Sequence, residues 1–290
     1  MFKHKVNKLP KNTYEIFADI PKDVIEKEYE EAFSRLQKTL IVEGFRQGKA
    51  PKTIAQKHIH KESVYQELMK TILPKIYEEI IKKEGLKPII SPKVELVKAK
   101  ENEDWQIKFS LAEKPSIKLA DYKELSKKLK TDKKKEAIWV PGKNDKQPDA
   151  KEIEQNKQKL LNDLLDGLIK QSKVEISDLV IETELNQRLA KLVDDIQKIG
   201  LSTESYLKSK NTSMEDLKKR YAQEITDTFA IEFILNEIAD KENIVVNNTD
   251  LEKLFSNISN EAERKAVQSN AYFYATILKK QKTLDFLLGL

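Results

Sequence analysis

The sequence predicts an α+β domain, built on a three-stranded antiparallel sheet with helices, followed by an all-α domain. A length of 290 residues corresponds to about two domains. Charged residues make up 35% of the chain and only seven residues are glycine, a composition typical of long helices with charged surfaces. Strand-like alternation of apolar and polar residues stops near residue 111, and only helical periodicity follows.

The first domain contains both kinds of element. Residues Asn12–Ile20 alternate apolar and polar side chains, which predicts a half-buried strand. A helix of five to six turns follows and ends at Gly44. A second helical stripe covers Lys61–Glu84, where Pro74 predicts a kink or a break. Two alternating runs within Val94–Leu111 predict a hairpin that completes the sheet.

A change in composition divides the chain into residues 1–115, a lysine-rich linker at 116–148, and a helical domain at 149–290. The linker assignment rests on many lysines and few apolar residues. Capping patterns mark several helix starts in the last part. The helices expected there cover about 149–172, 177–199, 212–241, a stretch from 249, and 261–288.

Several classes of chemistry lack the residues they need. The chain has no cysteine and three histidines, so disulfides and thiolate metal sites are excluded and no metal site is expected. Gly-rich phosphate loops and hydrolase motifs are missing from the sequence, so neither catalytic residues nor a cofactor are expected. The N-terminus has no signal-peptide core and no window resembles a membrane helix, which predicts a cytoplasmic protein without membrane contact.

Charge is distributed unevenly along the chain. Lysine and arginine exceed acidic residues up to Lys130, and acidic residues slightly exceed them afterwards. A basic first part suits an anionic surface such as nucleic acid, although lysine is also common on any solvated surface.

The segment from Gly44 to Lys49 is the most informative motif. Its two glycines allow sharp turns that could present Phe45 and Arg46 together at a protruding tip. A guanidinium binds phosphate or carboxylate through two hydrogen bonds, and a neighbouring ring can enter an apolar pocket. The alternative, that Phe45 packs into its own core while Arg46 lies along the surface, has equal weight from the residues alone.

These residues resemble a known family. The pattern Gly-Phe-Arg-x-Gly-x-x-Pro at Gly44–Pro51, after a long helix, and the segment Glu113–Leu119 are similar to the ribosome-docking domain of bacterial trigger factor. The segments Val174–Leu185 and Lys282–Leu288 resemble its helical C-terminal domain. The resemblance therefore covers nearly the whole chain.

The resemblance implies an ATP-independent chaperone that docks on protein and RNA near the ribosomal tunnel exit. Its helical domain would form extended arms that shield apolar segments of nascent or unfolded chains. The ribosome-binding residues implied are Gly44, Phe45, Arg46, Gln47, Gly48 and Lys49. The candidate client-binding residues are Leu185, Leu189, Leu192, Phe229, Phe233, Phe255, Tyr272, Phe273 and Tyr274. Apolar helical residues pack into a core more often than they stay open, so most of these nine are expected to be core residues.

Two departures from the family pattern qualify this expectation. Gln47 stands where the family usually has a basic residue, so docking is expected to be weaker. The linker also stands where the family carries a prolyl isomerase domain of the FKBP type, so this chain is expected to be a short form without enzyme activity.

Other functions stay open at this stage. A ribosome-independent holdase with a SurA-like helical architecture is the main alternative. A prolyl isomerase is disfavoured by length and glycine content, and a nucleic-acid-binding protein by the lack of a helix-turn-helix signal. Weak homodimerisation is also open.

Overall fold

A computed structural model describes residues 2–136, 150–256 and 260–290 of the chain. The chain divides into two compact units, Met1–Lys114 and Pro115–Leu290. In order, the elements of the first unit are β1 (Lys3–Leu9), β2 (Thr13–Ile20), α1 (Lys22–Thr39), α2 (Lys52–His58), α3 (Lys61–Glu84), β3 (Lys93–Lys98) and β4 (Trp105–Ala112). The elements of the second unit are β5 (Ile117–Lys118), α4 (Tyr122–Glu136), α5 (Ala150–Gln171), β6 (Lys173–Val174), α6 (Asp178–Lys198), α7 (Thr203–Ser209), α8 (Met214–Lys241), α9 (Asn248–Ser256), α10 (Glu261–Ser269) and α11 (Ala271–Gly289).

The first unit contains the expected antiparallel sheet, but the sheet has four strands, in the order β1-β2-β4-β3. The three-stranded prediction was wrong because β1 was missed. Its sequence, KHKVNKL, is mostly polar, and as an edge strand with a largely solvated surface it needs few apolar residues. The turn to β2 places Lys11 and Asn12 at positive φ, a conformation that asparagine tolerates better than most residues.

One face of the sheet packs against α1 and α3. Ile16 of β2 and Ile107 and Phe109 of β4 are at most 1% exposed and belong to one apolar cluster with both helices. Helix α3 continues through Pro74 without the predicted break. The buried residues Ile72 and Ile76 flank this proline, so packing on both sides offsets the one hydrogen bond that proline cannot donate.

The second unit is mainly helical, but it is not all-α, because β5 and β6 form a small antiparallel pair. The linker prediction was also wrong for its first part. Helix α4 buries Tyr122 and Leu125 in the core of this unit, with Leu129 packed against that core. These three residues have helical spacing and form one narrow apolar stripe. The many lysines around them made this helix difficult to recognise in the sequence. Residues 137–149 lie outside the described residues.

The other helix starts fall within two residues of the expected positions. The predicted final helix is instead two helices, α10 and α11, which are separated at Asn270. Helix α7 was not predicted. It begins after Ser202, whose hydroxyl accepts a hydrogen bond from the backbone N–H of Ser205.

Candidate functional site

The glycine-bounded motif lies in the loop of residues 40–51 between α1 and α2, here called the docking loop. Its backbone is closed by three hydrogen bonds. The N–H of Gly48 donates to the carbonyl of Leu40 over 3.0 Å, that of Phe45 to Val42 over 3.1 Å, and that of Lys49 to Arg46 over 2.9 Å. These bonds fix two consecutive tight turns, so the loop has a defined shape.

Both glycines of the docking loop have a backbone conformation that favours glycine, and Gly48 also makes a close backbone contact. Gly44 has φ 85° and Gly48 has φ 73°, a region that other L-residues enter at a cost. A Cβ on Gly44 would meet no atom of the described residues within 4 Å, whereas one on Gly48 would lie 2.4 Å from the carbonyl oxygen of Lys38. The close approach of the loop to the end of α1 therefore depends on Gly48.

The side chains at the tip of the docking loop face solvent. Phe45 is 39% exposed, and Arg46 and Lys49 are exposed as well. Within the described residues, neither cation forms a hydrogen bond or an ion pair. Ile41 is 76% exposed, more than Phe45, and sequence analysis missed it. In the adjacent pair Ile41-Val42 it is Val42, 8% exposed, that packs inward.

Gln47 has a structural contact in the docking loop. Its Nε2 donates a hydrogen bond to the carbonyl of Thr39 over 3.2 Å, and the Nε2 of Gln37 donates to the carbonyl of Ala50 over 2.8 Å. Both bonds tie the loop to the end of α1, where backbone carbonyls lack helical partners. The Gln47 side chain therefore connects the docking loop to the last turn of α1.

The structure changes how the charge of the chain is assigned. The first unit has 23 lysines and arginines against 18 acidic residues, which accounts for the whole formal excess of +5. The second unit has 30 of each. The acidic excess after Lys130 therefore does not extend to the second unit as a whole, because the lysines of α4 and of the segment before it belong to that unit.

None of the nine candidate client-binding residues belongs to the buried core, so the expectation that most of them pack inside was wrong. Tyr272 is 88% exposed and Phe273 is 61% exposed, and the other seven are half-buried. The core uses other faces of α8 and α11, together with residues of α4 and α5. Its fully or nearly fully buried residues include Leu164, Leu168, Ile234, Leu235, Ile238 and Leu287.

Further exposed apolar residues of the second unit were missed. Ile199 (67% exposed) and Leu201 (43%) flank Gly200, which has φ 75°, at the turn between α6 and α7. On α11, Ile277 is 43% exposed and lies one turn after Phe273. Apolar residues beside a glycine that ends a helix could have identified the first pair, because such turns lie at the surface.

Within residues 2–136, 150–256 and 260–290, no group of three or more His, Asp or Glu side chains could hold a metal ion. No helix in these ranges is long and apolar enough to cross a bilayer.

Two family models match the chain. The model described as bacterial trigger factor protein matches residues 2–138, and the model described as the bacterial trigger factor C-terminus matches residues 143–288. Only residues 139–142 separate the two matched regions.

Curated relatives and a solved structure agree with these matches. A trigger factor of Streptococcus pneumoniae (strain Hungary19A-6) is 33% identical over 162 residues, which is 56% of this chain and 35% of that protein. A trigger factor of Streptococcus agalactiae serotype III (strain NEM316) is 33% identical over 124 residues, 43% of this chain and 29% of that protein. The chain thus matches about a third of the length of these relatives.

The fold is similar to that of a solved trigger factor chaperone, described in connection with promiscuous substrate recognition in folding and assembly. The two structures have a TM-score of 0.64 and 16% sequence identity, and the match covers 98% of this chain and 99% of that one. At this identity the similarity concerns the fold alone.

Proposed function

The chain belongs to the bacterial trigger factor family, and we propose that it is an ATP-independent chaperone that docks near the ribosomal tunnel exit and shields apolar segments of nascent chains. The main support is the docking loop, which holds an exposed aromatic ring beside two cations that have no partner among the described residues. In this proposal Met1–Lys114 docks on the ribosome and Pro115–Leu290 holds clients, so the protein acts in the cytoplasm.

Docking would combine two contacts at the tip. Arg46 would bind a phosphate or a carboxylate, and Phe45 with Ile41 would cover a small apolar surface of a ribosomal protein. The excess positive charge of the first unit favours a surface that includes RNA, and attachment should weaken as salt rises.

Cosedimentation with empty ribosomes tests the docking proposal. The double variant Phe45→Ala, Arg46→Ala should bind at least tenfold more weakly than the parent, because both tip contacts are lost. The matched control is Val97→Ala, Lys100→Ala, which removes one exposed apolar side chain and one exposed cation from the β3–β4 hairpin. Equal binding by the parent and the docking-loop variant would refute this assignment and leave a ribosome-independent holdase.

The second unit would bind clients through exposed apolar side chains set among polar ones. Tyr272, Phe273 and Ile277 lie on α11, and Ile199 and Leu201 lie at the α6–α7 turn. Its formal neutrality suits clients of either charge, and scattered apolar contacts bind many sequences weakly. Release then needs no nucleotide.

Suppression of aggregation of a chemically unfolded protein, measured by light scattering without nucleotide, tests the client proposal. The double variant Tyr272→Ser, Phe273→Ser should require several times more chaperone for the same effect, since it removes the two most exposed rings of α11. The control is Val245→Ser, an exposed apolar residue between α8 and α9. A control variant as impaired as the double variant would refute the specific role of α11.

We also propose that this chain lacks prolyl isomerase activity. The four residues between the two matched regions are too few to form a β-sheet domain. Acceleration of proline-limited refolding of a model protein by this chain would contradict the proposal.

A further inference from the structure

The first unit has an aromatic cleft that the docking loop does not use. Rings from α1, α3 and β4 are contiguous in it: the centroids of Tyr29 and Tyr65 are 5.1 Å apart, and those of Tyr65 and Trp105 are 5.5 Å apart. These three residues line a cavity of about 510 Å³. A concave surface with several rings is typical of sites that bind a ligand.

The cleft continues along α3. Tyr65 also lines a second cavity, a shallow and open depression of about 440 Å³ on the surface of α3, together with Met69 and Leu73, which follow it at intervals of one helical turn. From Lys61 to Leu73 the helix rises about 18 Å, which corresponds to five or six residues of an extended peptide. We call the two cavities together the aromatic groove. Its length fits a short peptide segment better than a small molecule.

The carboxylates at the rim of the first cavity are all paired with lysines. Every glutamate that lines the first cavity lies within 4 Å of a lysine ammonium. The pairs are Glu26 with Lys22, Glu30 with Lys52, Glu101 with Lys61, and Glu103 with Lys98. The second cavity contains one charged side chain, Lys70, whose ammonium lies 4.0 Å from Glu67, a carboxylate that also accepts a hydrogen bond from Arg35 over 3.1 Å. A charged occupant of the first cavity would compete with the four pairs around it, so that cavity favours an uncharged occupant.

Two hydrogen-bond donors remain available in the groove. The hydroxyls of Tyr29 and Tyr65 make no hydrogen bond within the described residues. Burial raises the pKa of both tyrosines, so the hydroxyls keep their protons. The indole N–H of Trp105, in contrast, already donates to the carbonyl of Lys100 over 3.1 Å. Peptide carbonyls are the acceptors that an extended segment would offer to the two tyrosines.

We propose that the aromatic groove binds a short, extended, uncharged apolar segment of a client, as a second client site in the first unit. The rings cover apolar side chains, the tyrosine hydroxyls bind backbone carbonyls, and the flexible Met69 side chain adapts to different sequences. The client as the source of the segment rests on the chaperone function proposed above.

Fluorescence of Trp105 tests this proposal in the full chain. The chain has two tryptophans, so the variant Trp139→Phe leaves Trp105 as the single reporter. The probe is an eight-residue peptide of Phe, Pro, Ala and Ser with blocked ends. Its titration should change Trp105 emission with saturation, because the peptide would lie against Tyr65, whose ring centroid is 5.5 Å from that of the buried indole.

Variants within this background locate the site. Tyr29→Phe with Tyr65→Phe keeps both rings and should weaken peptide binding about tenfold through the loss of two hydrogen bonds. Met69→Glu adds an unpaired carboxylate and should weaken binding by at least tenfold. The matched control is Phe273→Glu, the same kind of change on α11, which should leave the Trp105 titration unaltered.

A peptide in which two alanines are replaced by lysine or by glutamate should bind more weakly than the neutral probe. Tighter binding of either charged peptide would overturn the assignment of an uncharged occupant. Binding of a fluorescently labelled neutral peptide is measured in parallel by anisotropy. If Trp105 emission does not change at concentrations where the anisotropy signal is saturated, the groove is not the binding site. An unchanged peptide affinity in both groove variants would also overturn the groove as a site.

These outcomes are separable from failure of the proposed function. The docking-loop variant Phe45→Ala, Arg46→Ala should leave the Trp105 titration unchanged. If the chain fails to suppress aggregation while Trp105 still reports saturable binding, the chaperone proposal fails and the groove remains a peptide site.

Discussion

Replacing Gly48 with alanine should change the shape of the docking loop without changing its charge or its exposed side chains. Alanine at φ 73° costs about 1–2 kcal/mol. Its Cβ would also lie 2.4 Å from the Lys38 carbonyl oxygen, so the loop must shift and lose the bond from the Gly48 N–H to Leu40, worth about 1 kcal/mol. The expected loss in the free energy of unfolding of the first unit is about 2–3 kcal/mol.

Gly44→Ala is the matched control. Its φ is 85°, yet nothing among the described residues lies within 4 Å of the added Cβ, so only the backbone cost of about 1–2 kcal/mol applies. Urea unfolding followed by Trp105 emission, in the Trp139→Phe background, reports on the first unit because Trp105 is 5% exposed in its core. The expected difference between the two variants is the hydrogen-bond contribution of about 1 kcal/mol, which corresponds to urea midpoints roughly 0.5 M apart.

Ribosome binding should separate the same two variants. A shifted loop no longer presents Phe45 and Arg46 together, so Gly48→Ala should cosediment several times less with ribosomes than Gly44→Ala. If both variants show the same midpoint and the same binding, the close approach to Lys38 does not shape the loop, and the reasoning from its backbone is refuted.

Three further predictions concern single side chains. Gln47→Lys should strengthen ribosome binding at low salt, and the slope of log affinity against log salt concentration should become steeper by the amount expected for up to one additional phosphate contact. Gln47→Ala, which only loses the bond to Thr39, should show neither effect. Tyr122→Phe should lower the free energy of unfolding of the second unit by about 1 kcal/mol, because the hydroxyl donates to Glu242 over 2.6 Å; an unchanged urea midpoint would show that α4 is not held by this bond. Burial and this hydrogen bond raise the pKa of Tyr122 to about 12. The contribution of the Tyr122 hydroxyl to the free energy of unfolding is therefore complete below about pH 10 and is lost as the pH rises through 12. If the parent and the Tyr122→Phe variant lose stability in parallel between pH 10 and 12, this prediction is contradicted.

Local patterns were sufficient for most elements of the fold. The alternation in Thr13–Ile20 and Trp105–Ala112 predicted two strands within about one residue, because each strand has one face on the core. The same reasoning failed for β1, whose pairing with β2 depends on a turn and a neighbour and not on its own apolar residues. The periodicity argument also failed for α4, which has only three apolar residues among its lysines. These three residues are sufficient to hold the helix in place because other helices of the second unit cover them.

The sequence by itself determined the two-part organisation, the helical periodicity of the second part and the family, since these depend on residues close together in the chain. The motif at Gly44–Lys49 could equally have packed inward, and only the tertiary structure places Phe45 and Arg46 in solvent. Likewise, only packing distinguished the buried Ile234 and Ile238 of α8 from its half-buried Phe229. Exposure depends on which face of each element its neighbours cover, and those neighbours come from distant parts of the chain.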